Sequence, residues 1–250
     1  MIELSKISTT APKGREKDKV RAETSKITRR IGELQHLMYA QKEHSLLIVF
    51  QGMDGSGKDG ASRKVFRHCS VTGIAAKSFK KPTALEMEHD FLWRVHMHVP
   101  RKGRIQIFNR SHYEDVLIQR VNNWITEDTV DHRIDAINDF ERNLWRDNNT
   151  SILKFYLHIS ERKQREKLQE RINNPNKNWK HNDGDWQERK KWKEYMKCYA
   201  DVINRSEIPW IIAPVDQRWY RDYFIALRVL ETMESLNLQL PKLNIKKPSK

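Results

Sequence analysis

These 250 residues predict an α/β fold with a doubly wound parallel sheet, and three observations carry that reading. The run Leu46-Leu47-Ile48-Val49-Phe50 is apolar without alternation, the mark of a strand buried on both faces. Gly52-Met53-Asp54-Gly55-Ser56-Gly57-Lys58 follows directly and matches G-x-x-x-x-G-K, a phosphate-binding loop that leads into a helix. Beyond it, strand-like and helical segments alternate, which implies βαβ crossovers.

In chain order, residues 1–22 are polar and basic, and a flexible arm is expected there. Ile27, Ile31, Leu34, Leu37 and Met38 recur at spacings of three and four, giving a helix to about Lys42. After the loop, strands are expected at Ala75–Lys80, Arg104–Phe108, Ser151–Ile159 and Pro209–Ala213. Helices are expected at Thr83–His98 (stopped by Pro100), Tyr113–Trp124, Thr129–Asp147 and Arg218–Met233. One folded domain therefore spans 23–235, and 236–250 is expected to be a loose tail. Glu161–Lys193 is dominated by charged and amide residues, broken at Asn173-Asn174-Pro175. It reads either as a solvated helical hairpin or, from its place between two strands, as a lid over the sheet's ligand-binding edge.

Forty-seven Lys and Arg against 33 Asp and Glu leave a net charge of +14, so an anionic partner is expected. Nucleic acid, a nucleotide and a linear polyphosphate all satisfy that charge. Cys69 and Cys198 form no metal-site spacing and no disulfide framework. No apolar run approaches the roughly 20 residues that span a bilayer. The N-terminus lacks an apolar signal core, so a cytoplasmic protein with no membrane partner is expected.

Loop glycines let backbone N–H groups of Gly55, Ser56, Gly57, Asp59 and Gly60 face an anion, and Lys58 adds a full charge. Asp59 stands where Ser or Thr usually offers a hydroxyl to Mg²⁺. Asp54 is then the nearest hard oxygen ligand, or else a turn-forming acid. Ile105–Phe108 should run beside the loop's strand and deliver Asn109 and Arg110 at its carboxyl end, where open α/β sheets bind ligands. Arg110 there suits a clamp on a transferring phosphoryl group, with a surface ion pair as the plainer alternative. Within the hairpin, Arg162, Lys163, Arg165, Lys167, Arg171, Lys177 and Lys180 form a track of cations longer than one triphosphate needs.

Four segments in register then resemble the family-2 polyphosphate kinases: G-M-D-G-S-G-K-D-G, the 80–94 stretch K-K-P-T-A-L-E-M-E-H-D-F-L-W-R, I-F-N-R-S-H-Y-E-D-V-L at 107–117, and R-I-N-N-P-N-K-N-W-K at 171–180. The resemblance implies a P-loop kinase with a five-stranded parallel sheet flanked by helices, a helical lid at about 161–193, and a fold similar to thymidylate kinase. It implies Mg²⁺-dependent (or Mn²⁺-dependent) transfer of a terminal polyphosphate phosphoryl group to AMP or ADP, giving ADP and ATP. Asp54 corresponds to the metal-organising acid, Lys58 to the loop lysine, and Arg110 to the arginine after the second strand. Lys80, Arg171, Lys177 and Lys180 fall in its phosphate-binding motifs, and Arg94, Asn109 and Glu114 on the nucleotide side. Asn109 departs from the Asp that many members carry. Glu114 resembles the subgroup accepting both AMP and ADP, though an acid there also suits a helix N-terminus. Arg94 reads equally as a phosphate anchor and as a structural ion pair. A homo-oligomer, dimer or tetramer, is the expected assembly, with no nucleic-acid partner. The rival readings are an ATP-dependent nucleoside-monophosphate kinase of the thymidylate kinase type and a basic nucleic-acid-binding ATPase.

Overall fold

The computed structural model describes residues 1–243. Its elements, in order, begin with α1 (Lys17–Gln41), β1 (Ser45–Gln51), α2 (Lys58–Val65), β2 (Ile74–Ser78), α3 (Ala84–Met87) and α4 (Trp93–His96). β3 (Ile105–Asn109), a 3-10 turn (His112–Val116), α5 (Ile118–Val121), α6 (Glu127–Asn148) and β4 (Thr150–His158) follow. The chain continues with α7 (Glu161–Asn173), a second 3-10 turn (Pro175–Lys180), α8 (Asp183–Lys190), α9 (Trp192–Arg205), β5 (Trp210–Pro214) and α10 (Arg218–Ser235).

The five strands are parallel in the order β2-β3-β1-β4-β5. Every residue of β1 is buried, which is why its sequence is a continuous apolar run closed by Gln51. Phe50 pairs in register with Asn109, so the ends of β1 and β3 lie side by side and deliver the phosphate loop and Arg110 to one edge. This five-stranded, helix-flanked sheet is the one that the alternation of segments predicted.

Element boundaries differ from the sequence reading where side chains compete with the helix. Residues 83–98 form two short helices, parted by a turn in which Asp90 Oδ1 accepts the Leu92 N–H at 2.9 Å in place of a helical bond. Residues 113–124 begin as a 3-10 turn capped by Ser111, whose side chain accepts the Tyr113 N–H.

The expected flexible arm is instead packed onto the domain. Leu4 is buried, the Ile2 N–H donates to Asn204 Oδ1 at 2.6 Å, and the Asp216 N–H donates to the Thr9 carbonyl at 3.0 Å. α1 starts at Lys17, six residues before the expected start, because Val20 extends its buried stripe. In the expected tail, Leu238 is buried; residues 244–250 lie outside the described ones.

Candidate active site

Gly52 to Gly57 curl between β1 and α2 with positive φ at three glycines. Gly57 shows why no side chain is tolerated: its φ is +94°, and an added Cβ would stand 2.2 Å from Arg221 Nη1. Arg221, on α10, is buried and donates to the Gly57 carbonyl at 3.2 Å while pairing with Asp222 at 2.6 Å. It braces the loop from behind. Nothing in the sequence marks it, since it reads as one more cation of an amphipathic helix.

Lys58 folds back over the loop, with Nζ 2.7 Å from the Gly52 carbonyl and 3.9 Å from Asp54. Burial lowers its pKa, and the neighbouring Asp54 only partly offsets this. Arg110 stands at φ +58°, a left-handed backbone unusual for arginine, fixed by its N–H bond to the Phe50 carbonyl at 3.0 Å. Its Nη2 lies 2.8 Å from both Asp54 oxygens. Burial pushes the Asp54 carboxyl up, but Lys58 and Arg110 outweigh burial and hold it below its ordinary value.

Glu114, half-buried on the 3-10 turn, faces the same charges. Burial raises its pKa, and the attraction of Arg110 and Lys58 does not fully offset that. The sequence reading missed Asp185 of α8, which binds Arg171 and lies within the field of Asp54 and Arg110. Ser56 Oγ in the loop and Asn109 Oδ1 at the end of β3 are buried atoms without a partner among the described residues. Unpaired groups of this kind beside an anion site await a ligand or water. Asp59 accepts a bond from Asn109 Nδ2 and has Lys180 at 4.0 Å, so it joins loop, sheet and lid.

The loop opens into a cavity of about 1010 Å³ roofed by the lid. Eleven Lys and Arg line it against four Asp and Glu, so it is built for a polyanion rather than for one phosphate. The lid supplies Lys167, Arg171, Lys177 and Lys180. Lys58 of the loop is another, and the remaining six come from places that the sequence reading did not single out: Arg21 on α1, Arg63, Lys64 and Arg67 at and just beyond the end of α2, and Arg218 and Arg221 on α10. A spacing signal existed in Arg63-Lys64-Arg67, whose helical period faces one side, but nothing in the sequence says which side.

Five expected residues are not among those lining this cavity: Asn109 and Arg110, which meet the loop through Asp59 and Asp54, Glu114 beside them, and Lys80 and Arg94. Arg94 is buried, donating to the Lys80 carbonyl at 2.9 Å and to Asp115 at 3.1 Å, with Glu86 at 3.9 Å. Of its two expected readings, the ion pair is the one the structure shows. Lys80 is exposed on the loop that Arg94 ties down, and it does not line the cavity. Arg162 and Lys163 of the expected cation track pair with Glu166, away from the cavity.

A family model for polyphosphate kinase 2 matches residues 14–241. The chain belongs to the polyphosphate kinase 2 family. Among its relatives, an AMP/ADP-polyphosphate phosphotransferase of Meiothermus ruber is 44 % identical over 86 % of this chain and 82 % of its own. An ADP-polyphosphate phosphotransferase of Rhodopseudomonas palustris is 38 % identical over 85 % and 78 %. The crystal structure of polyphosphate kinase 2 from Arthrobacter aurescens TC1 superposes with a TM-score of 0.94 at 34 % identity, covering 98 % of this chain and 90 % of that one. As a polyphosphate kinase 2, the chain is a phosphotransferase built on the α/β sheet described above. None of its helices, among the described residues, is long and apolar enough to cross a membrane.

Proposed function

We propose that this chain transfers the terminal phosphoryl group of inorganic polyphosphate to AMP and to ADP, giving ADP and ATP. The observation that carries the reading is the cationic cavity continuous with the phosphate loop, in a chain of this family. A nucleotide donor would leave most of its eleven cations without a phosphate, whereas a linear polyphosphate engages them in turn.

Arg110 and Lys58 do the work at the reacting end. Asp54 engages only Nη2 of Arg110, and among the described residues its Nε and Nη1 have no other partner, so they are free to meet an in-flight phosphoryl group. Lys58, held on the Gly52 carbonyl at 2.7 Å and more loosely on the Met53 carbonyl at 3.5 Å, keeps a further N–H donor for the phosphate that enters the loop. The acceptor's own phosphate is ionised at neutral pH, so alignment and charge neutralisation suffice without a strong general base.

The donor set fits a small hard cation such as Mg²⁺, with Mn²⁺ able to replace it: the Asp54 carboxylate and the unpartnered Asn109 Oδ1 are oxygen ligands. Among the described residues no three His, Cys, Asp or Glu gather into a metal site, so phosphate oxygens and water would complete the shell. When bound, the ion neutralises charge on the terminal phosphates. The site is expected to work in the cytoplasm, where nucleotides are at hand. A homo-oligomer is the expected assembly, supported by Leu85, Met87 and Met97, all more than half exposed on one segment; light scattering at micromolar concentration reads it directly.

The deciding assay mixes AMP or ADP with long-chain polyphosphate and no ATP. ATP should appear from ADP, and ADP followed by ATP from AMP. Phosphorylation of AMP by ATP, with none by polyphosphate, would instead establish the nucleoside-monophosphate kinase.

A further inference from the structure

Of the four acids that line the cavity, one is held by cations from three segments, where a polyanion has to lie. Glu170 on α7 lines the cavity, and three cations from three segments converge on it. Its Oε1 takes Lys177 Nζ from the 3-10 turn, and its Oε2 takes Lys167 Nζ at 3.3 Å and Arg218 Nη2 of α10 at 3.2 Å. Helix-surface pairing explains only Lys167, three residues away on the same helix. Lys177 and Arg218 come from elsewhere in the fold, so the convergence is tertiary. Three donors aimed at one pair of oxygens form the arrangement that a phosphoryl unit would itself choose.

We propose that Glu170 is an internal competitor for polyphosphate: its carboxylate occupies a phosphoryl position between Lys167, Lys177 and Arg218, and yields that position to the chain. The inference rests on the polyphosphate reading above.

The physical case has two sides. Without an anion, three cations crowd one another. Burial first, and then the charge of Arg218, depress the Lys167 amine. A carboxylate on a flexible stem relieves that repulsion while the cavity is empty. When a phosphate arrives, the same cations meet an anion with more charge and more acceptor oxygens, and Glu170 can rotate toward solvent because its side chain is 36 % exposed. Lys177 and Lys167 also hold the carboxyl at about 2, so the competitor is charged at every pH at which the enzyme would work. Affinity is thereby reduced and release hastened, which suits an enzyme that must move its donor forward one phosphate after each transfer.

The test is binding of inorganic polyphosphate, without nucleotide, to the parent and to Glu170→Gln, by calorimetry at low and high salt. The amide keeps the shape and removes the charge. Half-exposed pairs of this kind are each worth up to a few-fold, so about tenfold tighter binding at low salt is expected, shrinking as salt rises. ADP binding should not change. Lys177→Gln should also cost more polyphosphate affinity in the Glu170→Gln background than in the parent, where Glu170 already neutralises part of that lysine.

Equal or weaker polyphosphate binding by Glu170→Gln, with ADP binding intact, would overturn the proposal and make Glu170 a support for the cations. If Glu170→Gln melts early, Glu170→Ala, which likewise removes the charge, is read by the same criterion. A parent that binds no polyphosphate defeats the polyphosphate reading itself, a different result from a parent that binds and a variant that gains nothing.

Discussion

At the scale of single residues, Lys58 and Arg110 are aimed at charge rather than at packing. Arg110 holds its place by a backbone bond to Phe50 and an ion pair with Asp54, neither of which supports the core. Lys58→Met and Arg110→Ala should therefore melt close to the parent and lose on the order of 10²–10⁵ in rate. A variant retaining a tenth of the parent rate would remove that residue from the mechanism. Glu114 is the acid nearest those two cations on the turn after β3. Glu114→Asn is expected to lower kcat/KM with AMP at least tenfold more than with ADP, and equal losses would leave it a structural acid.

A buried cluster lies on the far side of the same turn. Lys154 and Glu141, both with 0 % side-chain exposure, are 2.6 Å apart, and the Tyr113 hydroxyl joins both. Burial alone would push the Glu141 carboxyl up, but Lys154 and His112 hold it below its ordinary value. Lys154→Met strands a buried carboxylate and should cost about 3–5 kcal/mol. Adding Glu141→Leu should recover most of the loss in thermal melts; no recovery would mean that the pair does not act as a unit.

At the scale of elements, the lid is tied at its base and its tip by different means. Ser160 caps α7, and its N–H and hydroxyl both donate to Asp216, which also accepts from the Thr9 hydroxyl. The N-terminal segment thus reaches the lid's base. Farther out, Arg171 of α7 holds the Lys180 carbonyl and Asp185 of α8, joining the lid's segments to one another. Among the described residues, the side chains of Lys177 and Lys180 make no such bond to backbone. Two classes of variant should therefore separate. Lys177→Gln with Lys180→Gln should weaken polyphosphate binding and leave ADP binding and melting temperature unchanged. Arg171→Ala should weaken polyphosphate binding and also loosen the lid, read as faster amide hydrogen exchange across α7 and α8. Equal exchange in the two variants would show that Arg171 serves the ligand alone.

For the whole molecule, the net charge of +14 is concentrated, since eleven of its 47 Lys and Arg face one cavity. Attraction of that kind is screened over about 10 Å at 0.1 M salt. KM for long-chain polyphosphate should rise steeply between roughly 50 and 300 mM KCl, while KM for ADP, which meets fewer of the cations, should rise much less. Parallel curves would show that the cavity does not hold the longer anion.

The sequence alone determined the sheet, the phosphate loop with Lys58, and Arg110 at the end of the neighbouring strand. Those features are local: a strand buried on both faces must be apolar throughout, and a loop that wraps phosphate must be rich in glycine. The hairpin was legible as charged, and its cations were named, but not which of them face inward. Only the tertiary structure decided that Arg94 is a buried structural pair and that Arg162 and Lys163 point away. It also decided that Arg21, Arg67 and the α10 pair Arg218 and Arg221, drawn from three distant segments, line one cavity, that residues 2–11 are packed, and that Glu170 stands among the cations. Each of these turns on which face of a helix meets which neighbour. For charged helices such as α7 and the end of α2, no apolar stripe marks the inner face, so that choice is made by packing across the fold and not by local pattern.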